Sequence, residues 1–210
     1  MRKRRVMFIT FEGIEGSGKS TQRQLLLDWL DEQTVSYIAT REPGGTSIGK
    51  TLRDLLLSND SMISSNRTEL FLFAADRCEH IKQVIQPALD RGDWVVCDRY
   101  VDSTFAYQCG GRQHEASDIL DIIRLTRAVT PDITFLLDLS PEEGIRRAEA
   151  RGELDRFEKE ALQFHNRVRS AYLDWANQHS DRTVVISVDG HSVEQIFDTI
   201  KNEVIKRSGL

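Results

Sequence analysis

Cysteine is scarce and unpaired in this chain. Cys78, Cys97 and Cys109 form no C-x-x-C pair and no even framework. This excludes a disulfide scaffold and a cysteine-built metal site, and the three read as reduced thiols in a cytoplasm. Long hydrophobic runs are also missing. The start, Met1-Arg2-Lys3-Arg4-Arg5, leads into a short apolar stretch only. Neither a secretory signal nor a membrane span is therefore expected, and the basic cluster reads as a solvated tail. No repeat, low-complexity tract or linker interrupts the chain, and 40% hydrophobic against 29% charged residues excludes a disordered one. A basic stripe is absent as well. With a formal net charge of −5 no nucleic-acid partner is expected, and any polyanion must be met by cations gathered locally. What remains is one soluble domain over residues 1–210, long enough to bury a sizeable core.

Glycine, by contrast, is concentrated in one place. Gly13-Ile14-Glu15-Gly16-Ser17-Gly18-Lys19-Ser20 matches G-x-x-x-x-G-K-[ST] without a gap. The apolar run Val6–Phe11 leads in, and a helical pattern of Leu25, Leu26, Trp29 and Leu30 leads out. In such a strand–loop–helix unit the glycines let several backbone N–H groups converge, and the positive end of the helix adds to the field. The loop, with the adjoining Thr21, is the candidate triphosphate site. Lys19 would reach the β- and γ-phosphates and Ser20 would ligate Mg²⁺. An N-K-x-D guanine motif is lacking, which argues against a GTP switch.

Short apolar strands alternate with amphipathic helices. Strands are predicted at Val6–Glu12, Ser36–Thr40, Trp94–Asp98, Ile133–Leu139 and Thr183–Asp189. Capping boxes are predicted at Ser140-Pro141-Glu142-Glu143 and at Ser192-Val193-Glu194-Gln195. A further helix is predicted through Phe157, Ala161, Phe164, Val168 and Tyr172. Five strands separated by helices make an α/β fold with an open parallel sheet buried on both faces.

Ligands of such sheets bind beyond the carboxyl ends of the strands. After the second strand, Arg41-Glu42-Pro43-Gly44-Gly45-Thr46 is a rigid turn that aims side chains over the strand ends. Asp98 closes the third strand, placed to hold Mg²⁺, and Arg99 beside it offers a fork for a phosphate. A helix starting at Asp102 puts Thr104 and Gln108 on one face and Ser103 and Tyr107 on another; an amide suits a nucleobase edge. Upstream, Leu70, Phe73 and Arg77 share a helical face, and the apolar run Leu70–Ala75 predicts a buried helix. Phe73 and Arg77 would serve a flat base, although their spacing alone favours a core phenylalanine and a surface arginine. Beyond the fourth strand, the arginines at 146, 147, 151 and 156, broken by Gly152, fit a mobile flap near 146–157 or a helix laced with Glu–Arg pairs.

Taken in order, these blocks resemble the thymidylate kinase family over nearly the whole chain. The resemblance is carried by Phe11-Glu12-Gly13, Thr40-Arg41-Glu42-Pro43-Gly44-Gly45, Phe73-Ala74-Ala75-Asp76-Arg77, Asp98-Arg99-Tyr100, Ser103 to Gln108 and the arginine cluster. It implies a three-layer nucleoside monophosphate kinase fold, homodimeric, transferring the γ-phosphate of ATP to dTMP with Mg²⁺. It implies that Phe73 stacks on thymine while Arg77 and Gln108 read its edge beside Glu42 and Thr104. Arg53 and Arg99 would hold the dTMP phosphate, Tyr107 would disfavour a 2′-hydroxyl, and Glu15 would lie near the sugar or acceptor phosphate. The glycine loop carries no base beyond Lys19, so the chain is similar to those relatives, bacterial in type, whose catalytic arginine comes from the flap. Arg151 is then that residue, and Arg147 flanks adenine opposite Gly190-His191. The implied catalytic set is Lys19, Asp98, Arg99 and Arg151, with Ser20 and Asp98 as metal ligands.

Overall fold

The computed structural model describes residues 5–210; the tail residues 1–4 lie outside them. Arg5, the last of the basic cluster, donates to Asp132 at 2.5 Å, so this residue is tied down while remaining largely exposed.

Five parallel strands form one sheet: β1 (Phe8–Glu12), β2 (Tyr37–Arg41), β3 (Trp94–Asp98), β4 (Ile133–Asp138) and β5 (Thr183–Ser187), in the order β2-β3-β1-β4-β5. The observed strands are one or two residues shorter or shifted at their ends relative to expectation, except β3. Met7 and Ser36 still accept ladder-type bonds, from Val95 and Trp94, so the differences lie within end fraying. The central strands are apolar throughout because both faces are covered. Ile9, Phe11, Val96 and Phe135 pack with Leu26 and Leu30 of α1 (Lys19–Glu32) and with Ile200 and Val204 of α9 (Val193–Ser208). Phe8, Val95 and Cys97 face the other way, onto Ile85 and onto Ala88 of α4 (Gln86–Arg91). This is the helix–sheet–helix layering that the alternation of elements implied. Among the described residues no helix is long and apolar enough to cross a membrane.

The remaining helices are α2 (Ser47–Leu57), α3 (Asn66–His80), α5 (Val101–Thr104), α6 (Ala116–Leu125), α7 (Pro141–Arg151) and α8 (Leu162–Gln178). Four local expectations need correction. The box at Ser192 forms, with Gln195 N donating to Ser192 Oγ and Ser192 N donating to Gln195 Oε1. The box at Ser140 does not: Ser140 makes no side-chain cap, and Glu143 is taken by Arg146 and Arg147. The helix through Phe157 starts only at Leu162, because Asp155 accepts the amides of Phe157 and Glu158 and folds that stretch into a turn. The segment after Asp102 continues α5 as a wide π-helical turn, Phe105–Gly111, packed tightly on α8. A Cβ on Gly110 would stand 2.4 Å from that of Ala171. Finally, α3 is not buried all round: Phe71 is 54% exposed.

Candidate active site

The carboxyl ends of β1, β2 and β3 surround a cavity of about 670 Å³. Its floor is the glycine loop between β1 and α1. Gly13 has φ 134°, and a Cβ there would meet Leu137 O at 2.4 Å, so only glycine lets the loop lie on β4. The first amides of α1 have no side-chain cap and no acidic residue in the first turn, which leaves them available to an anion. Lys19 Nζ lies against the loop itself, donating to Gly13 O at 2.9 Å and Ile14 O at 2.6 Å. Burial, together with Arg99, lowers its pKa to about 8. The loop side chains Glu15, Lys19, Ser20 and Thr21 line the cavity with Gly16 and Gly18, whereas Gly13, Ile14 and Ser17 lie behind it.

Cations gather along the middle of the cavity. Arg99, following β3, has the left-handed φ of 66° and donates to Glu15 Oε1 at 2.8 Å, to Tyr172 Oη at 3.0 Å and to Ser103 Oγ at 3.2 Å. Its guanidinium stands 5.0 Å from the Tyr107 ring centre. Burial raises the Glu15 carboxyl, but Arg99, Lys19 and the Tyr107 hydroxyl outweigh that and hold it ionised below the usual range. Arg53 donates to Pro43 O, and burial with the charges of Arg41 and Arg99 lowers its pKa. Guanidinium groups that repel one another across a cavity form an anion seat. Asp98 also faces the cavity, and its Oδ1 is buried without a partner.

The far end is shaped differently. Phe73 of α3 packs 6.0 Å from Phe157, leaving part of its ring at the cavity. Arg77, one turn on, is 2% exposed, so it is no surface residue. Its Nε donates to Glu42 Oε2 and its Nη2 to Thr104 Oγ1, both at 2.8 Å, while Nη1 is buried with no partner. Glu42 is held in turn by His80 Nδ1 at 2.9 Å, and His80 Nε2 meets Thr40 Oγ1 at 2.6 Å. Gln108, from the π-helical turn, lines the same end with Tyr107.

The arginine cluster divides. Arg147 donates to Glu143 Oε1 at 2.7 Å and to Gly16 O at 3.2 Å, lying along the glycine loop. Among the described residues Arg146 pairs only with Glu143, on the exposed side. Arg151 lines the cavity, pairs with Glu158 and is 62% exposed. Arg156 turns away to Leu56 O and Glu69. Both the Glu–Arg pairing and the placement over the cavity are therefore present, on different arginines. Gly190 and His191 are not among the cavity's lining residues.

Sequence reasoning missed several participants. Tyr172 on α8 reaches Arg99 from 73 residues away, and nothing local marks it. Phe157 was assigned to a helix face rather than to the wall beneath Phe73. Glu12 was noted only as part of a motif, yet it is fully buried beneath Arg99.

The sequence model described as Thymidylate kinase matches residues 11–200. Among curated relatives, the thymidylate kinase of Maridesulfovibrio salexigens is 44% identical over 96% of each chain. That of Carboxydothermus hydrogenoformans is 46% identical over 92% of this chain and 94% of its own. The crystal structure of thymidylate kinase from Ehrlichia chaffeensis superposes with a TM-score of 0.76 at 34% identity, covering 95% of this chain and 98% of that one. The chain belongs to the thymidylate kinase family.

Proposed function

We propose that this chain transfers the γ-phosphoryl group of ATP to dTMP, releasing ADP and dTDP. The observation that carries this reading is Arg77 Nη1: a buried donor without an acceptor, in the same cavity that ends in the glycine loop. An exocyclic carbonyl of a pyrimidine would satisfy it, with the base lying on Phe73 and Gln108 at its edge. A thymine so held directs its 5′-phosphate toward Arg53 and Arg99. Tyr107, hydrogen-bonded to Glu15, lies where a 2′-hydroxyl would crowd it.

The reaction is direct. A dTMP phosphate oxygen bonds to the γ-phosphorus while the bond from phosphorus to the β–γ bridging oxygen breaks, and no covalent enzyme intermediate forms. Lys19 leaves its loop carbonyls for the phosphates, the α1 amides cradle them, and Arg99 steadies the acceptor. The flap, residues 146–157 of the single domain, brings Arg151 onto the equatorial oxygens and excludes water. Arg147, already on the loop, flanks adenine. Ser20 and Asp98 suit Mg²⁺: both offer oxygen, and Asp98 Oδ1 is an orphaned buried acceptor. Among the described residues no group of three His, Cys, Asp or Glu could cage a metal. Bound there, Mg²⁺ supplies neutralisation of charge on the β- and γ-oxygens.

A homodimer in the cytoplasm completes the reading. The packed helices α2 and α3 expose Ile48, Leu55 and Phe71, each 43–54% accessible, and a second copy is the occupant for that face; light scattering that reads a monomer would remove this part. The decisive experiment for the activity is a coupled ADP-release assay with dTMP omitted, then added. ADP should appear only on addition, matched by dTDP, with dUMP, UMP, CMP and AMP slower. ADP released without dTMP, and no dTDP formed, would overturn it.

A further inference from the structure

We propose that Glu12 is a positioning residue for Arg99, fixing the direction of a chain of hydroxyl hydrogens so that lone pairs, not hydrogens, meet the guanidinium. The inference rests on the proposed function, in which Arg99 holds the acceptor phosphate.

Glu12 closes β1 one residue before the glycine loop and does not line the cavity. Its Oε1 accepts the Tyr100 amide at 2.7 Å. Its Oε2 accepts from Ser103 Oγ at 2.5 Å and from Tyr172 Oη at 3.1 Å. Those two hydroxyls stand 2.7 Å apart, and both also accept from Arg99 Nη1. A guanidinium only donates and an ionised carboxylate only accepts, while each hydroxyl has a single hydrogen. With Arg99 at one end and Glu12 at the other, the hydrogens run toward Glu12, directly or through the neighbouring hydroxyl. Neither of two other nearby anions serves as an alternative end: Glu15 accepts from Arg99 Nη2 and from the Tyr107 hydroxyl, and Asp102 accepts from Arg182 at 2.8 and 3.0 Å and from Trp175 Nε1 at 3.0 Å.

The backbone points the same way. At φ 66° Arg99 sits in a region where few residues bearing a side chain rest without support. The hydrogen bond that the Tyr100 amide, next in the chain, donates to Glu12 and the one from Arg99 N to Phe11 O at 2.9 Å pin both sides of it to the end of β1. The strand end that begins the ATP loop thus also aims the cation for the second nucleotide.

Glu12→Gln keeps the shape but gives that end hydrogens of its own, so the chain can reverse. Calorimetric affinities for dTMP and for thymidine, which differ only in the phosphate, isolate the effect. The variant should bind dTMP about tenfold more weakly, as for a lost charge-assisted hydrogen bond, with thymidine affinity unchanged. Tyr172→Phe removes one hydroxyl and keeps the ring; it should shift dTMP alone, by about threefold, and decides the case if Glu12→Gln does not fold. Equal losses for both ligands, or no loss in folded variants, overturn the proposal. Wild-type protein that binds dTMP no more tightly than thymidine overturns the proposed function itself, and this inference with it.

Discussion

Arg77 and Arg151 line the same cavity and are held in opposite ways. The Arg77 side chain is 3% exposed and is fixed by Glu42 and Thr104, with His80 and Thr40 behind them. The Arg151 side chain is 62% exposed and has one ion pair, to Glu158 beyond Gly152. In the proposed function the difference separates two tasks. A site that distinguishes bases needs its donors in place before the ligand arrives, since an adjustable donor rejects little. A cation that meets charge developing during transfer has to come in after both nucleotides are bound, and a solvent-facing arginine on a helix end can do so at low cost.

Removing each arginine should break the molecule in a different way. Arg151→Ala is expected to lower kcat on the order of 10³-fold, with the KM for dTMP nearly unchanged and thermal stability intact. Steady-state kinetics showing only a raised KM would refute the role. Arg77→Ala is expected to act on the fold as well as on binding. It takes the guanidinium from the buried Glu42 carboxylate and leaves it His80 alone, which should cost about 3 kcal/mol in denaturant unfolding; a variant as stable as wild type would show that the pocket is not preformed.

Acidity sharpens the same contrast, because the groups it moves lie in the buried part. Burial and the Asp102 charge push Glu12 up to about 7, and burial with Arg99 pushes Lys19 down to about 8. In the proposed roles, Arg99 needs Glu12 ionised and the phosphates need Lys19 charged. The kcat/KM of the free enzyme should therefore rise with pH through about 7 and fall above about 8. Stability responds oppositely on the acid limb. The folded pKa of Glu12 lies above its usual 4.5, so its contribution is full below about 4.5 and is lost as pH rises through about 7. Glu12→Gln should abolish the acid limb alone, and a flat wild-type profile between about pH 6 and 9 would contradict both assignments.

Legibility in the sequence followed the range of the interaction. The glycine loop, the Ser192 box and strand β3 lay in the chain as written, because backbone geometry and capping act over a few residues. The Ser140 box was misread because charged competitors existed: two arginines three and four residues on take Glu143. Phe157 was misread because its spacing continued a helical stripe, while the Asp155 side chain closed a turn there. The spacing of Phe73 and Arg77 alone favoured a core phenylalanine and a surface arginine, and Arg77 is instead buried at 2% exposure because Glu42 and Thr104 meet it from other elements.

By itself, then, the sequence determined the alternating architecture, the phosphate loop and the family, all of which depend on neighbours in the chain. Tertiary structure decided which arginines are buried, paired or free over the cavity, and it brought Tyr172 to Glu12 across 160 residues. The physical reason is that a charge is set by what surrounds it, and what surrounds Arg77, Arg99 and Glu12 comes from strands and helices that meet only when the sheet closes.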